Sequence, residues 1–287
     1  MTEIAPMARI ARCYDVLLLD AYGVLVNHAG ALPGAAAFIA DIQAAGCTYC
    51  VVTNDASRLP DTIAARFAAL GIPIDRAQIL SSGMVLADYF IAEGLTGISC
   101  LVLGTPDSES YVRAAGGTCV ALDAAASADT ADALIFCDDM GPQMLPILER
   151  VTALAVARLL AGRPLRLILC NPDAIYPKGD GQIGFTSGSL AALLETALAI
   201  CLPQTPLHLR QFVGLGKPHA PIFDAAKRRF PGQRMVMVGD QLPTDILGAT
   251  RAGIDSVLLG TGLTHWDGRT PLTPTPTYYC PSLLTVD

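Results

Sequence analysis

At 287 residues the chain is too long for one small hydrophobic core and suits two domains, or one domain with a large insertion. Hydrophobic residues make up 52% and charged residues 16%, below the roughly 25% charge usual in soluble proteins, so much of the chain is expected inside or in subunit contacts. The net charge of −7, with no Lys/Arg stripe, argues against a nucleic-acid partner or an anionic membrane surface.

No apolar run approaches the roughly 20 residues needed to span a bilayer, and MTEIAPMARIARC lacks the apolar core of a signal peptide. A cytoplasmic, membrane-free protein is the expectation. The nine cysteines fall mostly in apolar, strand-like runs such as TYCVV, ISCLVL and LILC, where free thiols pack as small hydrophobes. Cys47 and Cys50 have CxxC spacing, but no second pair or nearby His completes a zinc site.

Residues 15–26, DVLLLDAYGVLV, open the chain with a near-continuous apolar run, the pattern of a strand buried on both faces. A helix is expected over 33–45, a second buried strand at CTYCVVTND, and a helix over 59–70 closed by Gly71. The same alternation returns late: PIFDAAKRRF as helix, RMVMVGD as strand, PTDILGATRAG as helix, SVLLG as strand. Strand alternating with helix implies a parallel sheet. Between the halves, SCLVLG, ADALIFCDD and LRLILCNPD read as further strands, with helices near 107–115, 144–160 and 189–200. The division expected is a core domain of residues 1–81 and 211–287, carrying an inserted α/β cap domain over 82–210.

Ligands of open parallel sheets gather outside the carboxyl ends of the strands. Three exits there carry polar residues: Asp20 to Tyr22, Thr53 to Asp55, and Gly239 to Asp245. A single Asp after a strand is most often a helix cap. Two such carboxylates near one sheet edge repel unless a cation joins them, and magnesium suits a site of few carboxylates, waters and phosphate oxygens. Thr53 and Asn54 offer a hydroxyl, an amide and backbone N–H groups that could cradle phosphate or simply cap the next helix. Lys217, between Gly216 and Pro218, is either solvated or an ammonium set against phosphate or Asp20.

Taken in order, LLLDAYGVL, VVTNDASR, GLGKP and MVGDQLPTD resemble the four motifs of the haloacid dehalogenase (HAD) superfamily. The insertion between the second and third motifs, with NPD at Asn171 to Asp173, resembles subfamily IIA, which implies a Rossmann-like core with an α/β cap. The resemblance implies a magnesium-dependent phosphatase acting on a small phosphorylated metabolite. Asp20 would be the nucleophile, Thr53 and Asn54 the phosphate cradle, and Lys217 the charge stabiliser. Asp20, Asp240, Asp245 and the Tyr22 carbonyl would hold Mg2+. It further implies association of subunits through the cap.

The pattern is broken at Tyr22, where such phosphatases carry a second aspartate as general acid and base. A phenol with a pKa near 10 exchanges protons poorly at neutral pH, so a slow or leaving-group-selective enzyme is expected. His28, Asp173 and Lys178 are the substitutes within reach in sequence. Two rival readings stay open: DAYG also resembles the first motif of L-2-haloacid dehalogenases, and loss of the acid suits a phosphate-binding regulatory protein. Asp55 is awkward beside an anion, and Asp138, Asp139 and NPDAIYPKGDG could face the leaving group.

Overall fold

The computed structural model describes residues 2–121, 130–138 and 143–284. The opening apolar run forms a strand only over Val16–Leu19, short of the expected limit at 26. Beyond Asp20 the N–H groups of Leu25 and Val26 turn back to the Ala21 carbonyl. Val26–Asn27 then pairs with Gly30–Ala31 as a small antiparallel flap.

Val16–Leu19 lies inside a parallel sheet of seven strands. Their order is Glu3–Ile4, Tyr278–Cys280, Asp255–Leu259, Met235–Gly239, Val16–Leu19, Thr48–Thr53, Ile79–Ser81. Side chains alternate between its faces, as a period of two requires. Leu17, Leu19, Tyr49, Val51, Val236 and Val238 pack with Phe38, Ile39 and Phe67 on one side. Val16, Leu18, Cys50, Val52 and Met237 pack on the other. Each fully buried Val or Leu is worth about 1.5–3 kcal/mol against exposure, which is why these strands read as unbroken apolar runs. From Val16–Leu19 the chain proceeds to Thr48–Thr53 on one side, and from Met235–Gly239 to Asp255–Leu259 on the other. The crevice between Val16–Leu19 and Met235–Gly239 is therefore the switch point where such sheets bind ligands.

A second parallel sheet has the order Val213–Gly214, Arg166–Leu169, Ala133–Phe136, Ser99–Leu103, Thr118–Val120. Its first-named strand lies beyond residue 210. One face packs on the helices Met144–Leu160 and Ser187–Cys201 through Leu101, Leu134, Phe136, Leu148 and Leu194. The other face, through Cys100, Ile135 and Ile168, shares a single apolar cluster with Phe90, Phe223 and the core residues Leu18 and Met237. The two sheets are thus joined by a common hydrophobic layer.

The helices Ala35–Ala44 and Pro60–Ala69 fall within their expected ranges, and Ala220–Arg229 begins one residue before its own. Residues 243–253, expected as one helix, form instead a π-helical turn over Leu242–Ile246 and an α-helix over Leu247–Ala252. The wide turn brings the Asp245 carboxylate back onto the Gln241 N–H, 3.1 Å away. All nine cysteines are free, with Cys50 fully buried. No helix among the described residues is long and apolar enough to cross a membrane.

Candidate active site

The switch-point crevice brings together three of the acidic residues singled out in sequence. Asp20, Asp240 and Asp245 are buried, and one oxygen of each lies within 4.8 Å of the others. Lys217, 1% exposed, bridges two of them: its Nζ lies 2.7 Å from Asp20 Oδ1 and 2.7 Å from Asp245 Oδ1. Asp20 Oδ1 also accepts the Ala21 N–H at 2.7 Å, which fixes the orientation of its carboxylate.

Three carboxylates against one ammonium leave an excess of negative charge in a dry place. Two such charges 4.8 Å apart repel by roughly 3.5 kcal/mol at an effective dielectric of 20. The titration behaviour follows. Burial pushes the Asp20 carboxyl well above the usual range, against the pull of Lys217 and with the charges of Asp245 and Asp240 adding to it. Burial and then the Asp245 charge push Asp240 up to about 7. Burial alone would lower Lys217, but the charges of Asp20, Asp245 and Asp173 outweigh it and hold the ammonium firmly protonated.

Asp240 is the strained member. Its Oδ2 accepts the Leu263 N–H at 2.8 Å, while Oδ1 is buried with no hydrogen-bond partner. An unpaired buried carboxylate oxygen is a costly polar defect, and a divalent cation among these oxygens would remove it. The donor set, hard oxygens of high charge, fits magnesium or calcium. Backbone crowds the same carboxylate: at Gly23, with φ +90°, and at Gly262 a Cβ would overlap it. The 261–264 loop that holds Asp240 had no role in the sequence reading. The exit of the Asp255–Leu259 strand, followed by GTG, was the available signal.

Thr53 is buried and accepts the Asp55 N–H at 3.2 Å, so its own hydroxyl proton is free to donate into the crevice. The Asn54 side chain is instead committed within the protein. Its Oδ1 accepts the Lys217 N–H at 2.7 Å, and its Nδ2 donates to the Lys217 carbonyl and to Asp173 Oδ1, each at 2.9 Å. Asn54 thus locks Lys217 in place and ties it to the NPD loop. Asp55 lines the cavity with its charge compensated: its Oδ1 accepts the Ser57 N–H and hydroxyl, and its Oδ2 pairs with Arg58 at 2.9 Å.

A cavity of about 390 Å3 opens beside this cluster, lined by Tyr22, Thr53, Phe67, Asp138, Asp173 and Tyr176 among others. Asp138 thus faces it, while Asp139 lies outside the described residues. Of the three residues the sequence offers for proton transfer, His28 and Lys178 are exposed, and the Lys178 ammonium sits 5.6 Å from the Tyr176 ring centre. Asp173 lines the cavity, and burial pushes it up to about 6 against the pull of Lys217 and Asn54. The Tyr22 phenol is raised above its usual value by burial and donates its proton to the Pro177 carbonyl at 2.6 Å.

Known proteins share this sequence pattern and fold. Residues 17–118 match the family model for haloacid dehalogenase-like hydrolases, and residues 214–286 match the HAD-hydrolase-like model. Glycerol-3-phosphate phosphatase of Gallus gallus is 31% identical over 265 residues, covering 87% of this chain and 80% of the relative. A possible sugar phosphatase of the HAD superfamily from Cytophaga hutchinsonii superposes with a TM-score of 0.84 at 29% identity, over 100% of both chains. Glycerol phosphate phosphatase of Mycobacterium tuberculosis, solved in complex with calcium, superposes with a TM-score of 0.76 at 27% identity, over 96% of this chain and 75% of that one.

Proposed function

Because the chain belongs to the haloacid dehalogenase superfamily, among the phosphatases of its subfamily IIA, we propose that it hydrolyses phosphoric monoesters of small metabolites through Asp20. The observation that carries this is the convergence of Asp20, Asp240 and Asp245 on one buried point with Lys217 and an unpartnered Asp240 oxygen. Asp20, Asp240, Asp245 and the Tyr22 backbone carbonyl would hold Mg2+. When bound, the cation offsets the carboxylate charge and that on the phosphoryl oxygens. Calcium in the mycobacterial relative supports a divalent cation in this fold.

The chain's own groups account for the rest. The Thr53 hydroxyl and the backbone N–H groups after the Thr48–Thr53 strand bind phosphoryl oxygens, and Lys217 places fixed positive charge where negative charge accumulates. An Asp20 oxygen forms a bond to phosphorus as the bond to the leaving oxygen breaks and that oxygen departs with the electron pair. Water then attacks phosphorus, releasing inorganic phosphate and restoring the Asp20 carboxylate. With Tyr22 in the usual acid position, leaving groups that depart without a proton, such as phenols and enols, are favoured over alcohols. Named relatives act on glycerol-3-phosphate, so small phosphorylated metabolites are the substrate class.

Subunit association through the cap is supported by an apolar groove between Met144–Leu160 and Ser187–Cys201, along which Leu145, Leu160, Leu193 and Cys201 are exposed.

Phosphate release from a monoester panel, with and without Mg2+ and beside 2-chloropropionate, tests the reading. Metal-dependent phosphate release that Asp20→Asn lowers by about 10⁴-fold or more is expected. Chloride release without metal, and no phosphate release, would overturn it.

A further inference from the structure

The hairpin of Ile175–Gly179 and Gln182–Phe185, a two-stranded sheet of its own, supplies Tyr176 to the cavity wall. It has little packing of its own: Ile183 is 56% and Phe185 64% exposed. A lone two-stranded hairpin is marginally stable in water, so its position at the cavity is set by what ties it down. Its base is tied by the Thr186 hydroxyl to the Asp173 carbonyl, and through Asp173 to Asn54.

Midway along the hairpin, the Tyr22 hydroxyl donates to the Pro177 carbonyl at 2.6 Å, joining residues 155 apart in sequence. This bond falls where the hairpin register shifts, between Pro177 and Gly179. The flap reinforces it, since Gly179 leaves room for the His28 imidazole where a Cβ would overlap it. The Tyr22 hydroxyl is thus turned toward the hairpin, and Tyr22 and Tyr176 line the same cavity.

We propose that Tyr22 is a positioning residue that pins the 175–185 hairpin over the leaving-group side of the cavity. An aspartate at position 22 is too short to make the same tie, so the exchange that removes the usual acid also creates the anchor. The inference rests on the phosphatase reading for its kinetic consequence alone. The Tyr22 hydroxyl acts on the part of the substrate beyond the phosphate, and the bare phosphate site, which would use only the Tyr22 backbone, does not depend on that hydroxyl.

Tyr22→Phe tests this, because it removes one oxygen and keeps the ring. The expected result is a KM for p-nitrophenyl phosphate raised about threefold to tenfold, the span of one hydrogen bond. Inhibition by inorganic phosphate should change less than twofold, and backbone amide exchange over 175–185 should quicken. Unchanged KM and exchange would overturn the proposal. So would a phosphate inhibition constant that rises in step with KM, since that places the hydroxyl in the phosphate site. If the native protein releases no phosphate from any ester, the phosphatase reading fails, while amide exchange still reports on the tie.

Discussion

Both parallel sheets end their strands beside the same cavity, yet the two ends leave their polar atoms in different states. At the first sheet, Asp20 and Asp240 leave Val16–Leu19 and Met235–Gly239 into a buried crevice that keeps excess negative charge and an unpartnered oxygen. At the second, Ala133–Phe136 and Arg166–Leu169 end in Cys137 and Cys170, two buried thiols, and Asn171 Oδ1 is taken up by the Asp173 N–H at 3.0 Å. The same strand-to-turn grammar gives a candidate reactive site where polar atoms are left uncompensated, and a joint between the sheets where they are satisfied.

Asp240→Asn should break the contrast most. Magnesium activation of phosphate release is expected to need about 10²-fold more metal; activation at the native concentration would mean that Asp240 does not hold the ion. Next in size, Tyr22→Asp should raise turnover of alkyl phosphates by up to about 10²-fold, and that of p-nitrophenyl phosphate much less. Equal gains on both substrates would show that proton transfer is not what position 22 lacks.

The charge excess also predicts a pH dependence. Asp240, pushed up to about 7, and Asp173, pushed up to about 6, bind protons more tightly folded than unfolded, where a carboxyl titrates near 3.9. Without metal, these two groups add stability as pH falls from 8 to 6 and lose it as pH rises. A divalent cation needs the ionised forms, so Mg2+ should raise Tm by about 3 °C more at pH 8 than at pH 6, the worth of roughly tenfold in affinity. Taking the difference with and without Mg2+ removes the opposing contribution of His219, whose pKa burial lowers. An equal gain at both pH values would count against the ionised crevice as the metal site. The smallest effect belongs to the second sheet: Cys137→Ala should cost about 1 kcal/mol of stability in a thermal melt and leave turnover within twofold.

Local patterns carried much of this protein. Asp20, Thr53, Lys217 and Asp240 were legible because each follows an apolar strand or a Gly-Pro frame, and a parallel sheet gathers strand exits at one edge whatever the details of packing. The alternating elements likewise announced the α/β architecture, since burial on both faces writes itself into sequence as apolar runs.

What local pattern could not carry were partners far apart in the chain. The Asn54 side chain is spent on Lys217 and Asp173, 163 and 119 residues away. Tyr22 finds Pro177, and Asp240 finds Leu263. Phe90 and Phe223 join the two sheets in one apolar cluster that no hydrophobic period reveals. The sequence by itself determined which chemical groups stand at the sheet edge, because strand periodicity is a property of neighbours. Only the tertiary structure decided which of their atoms are already satisfied and which remain for a ligand, because hydrogen-bond partners are assigned by the fold in three dimensions.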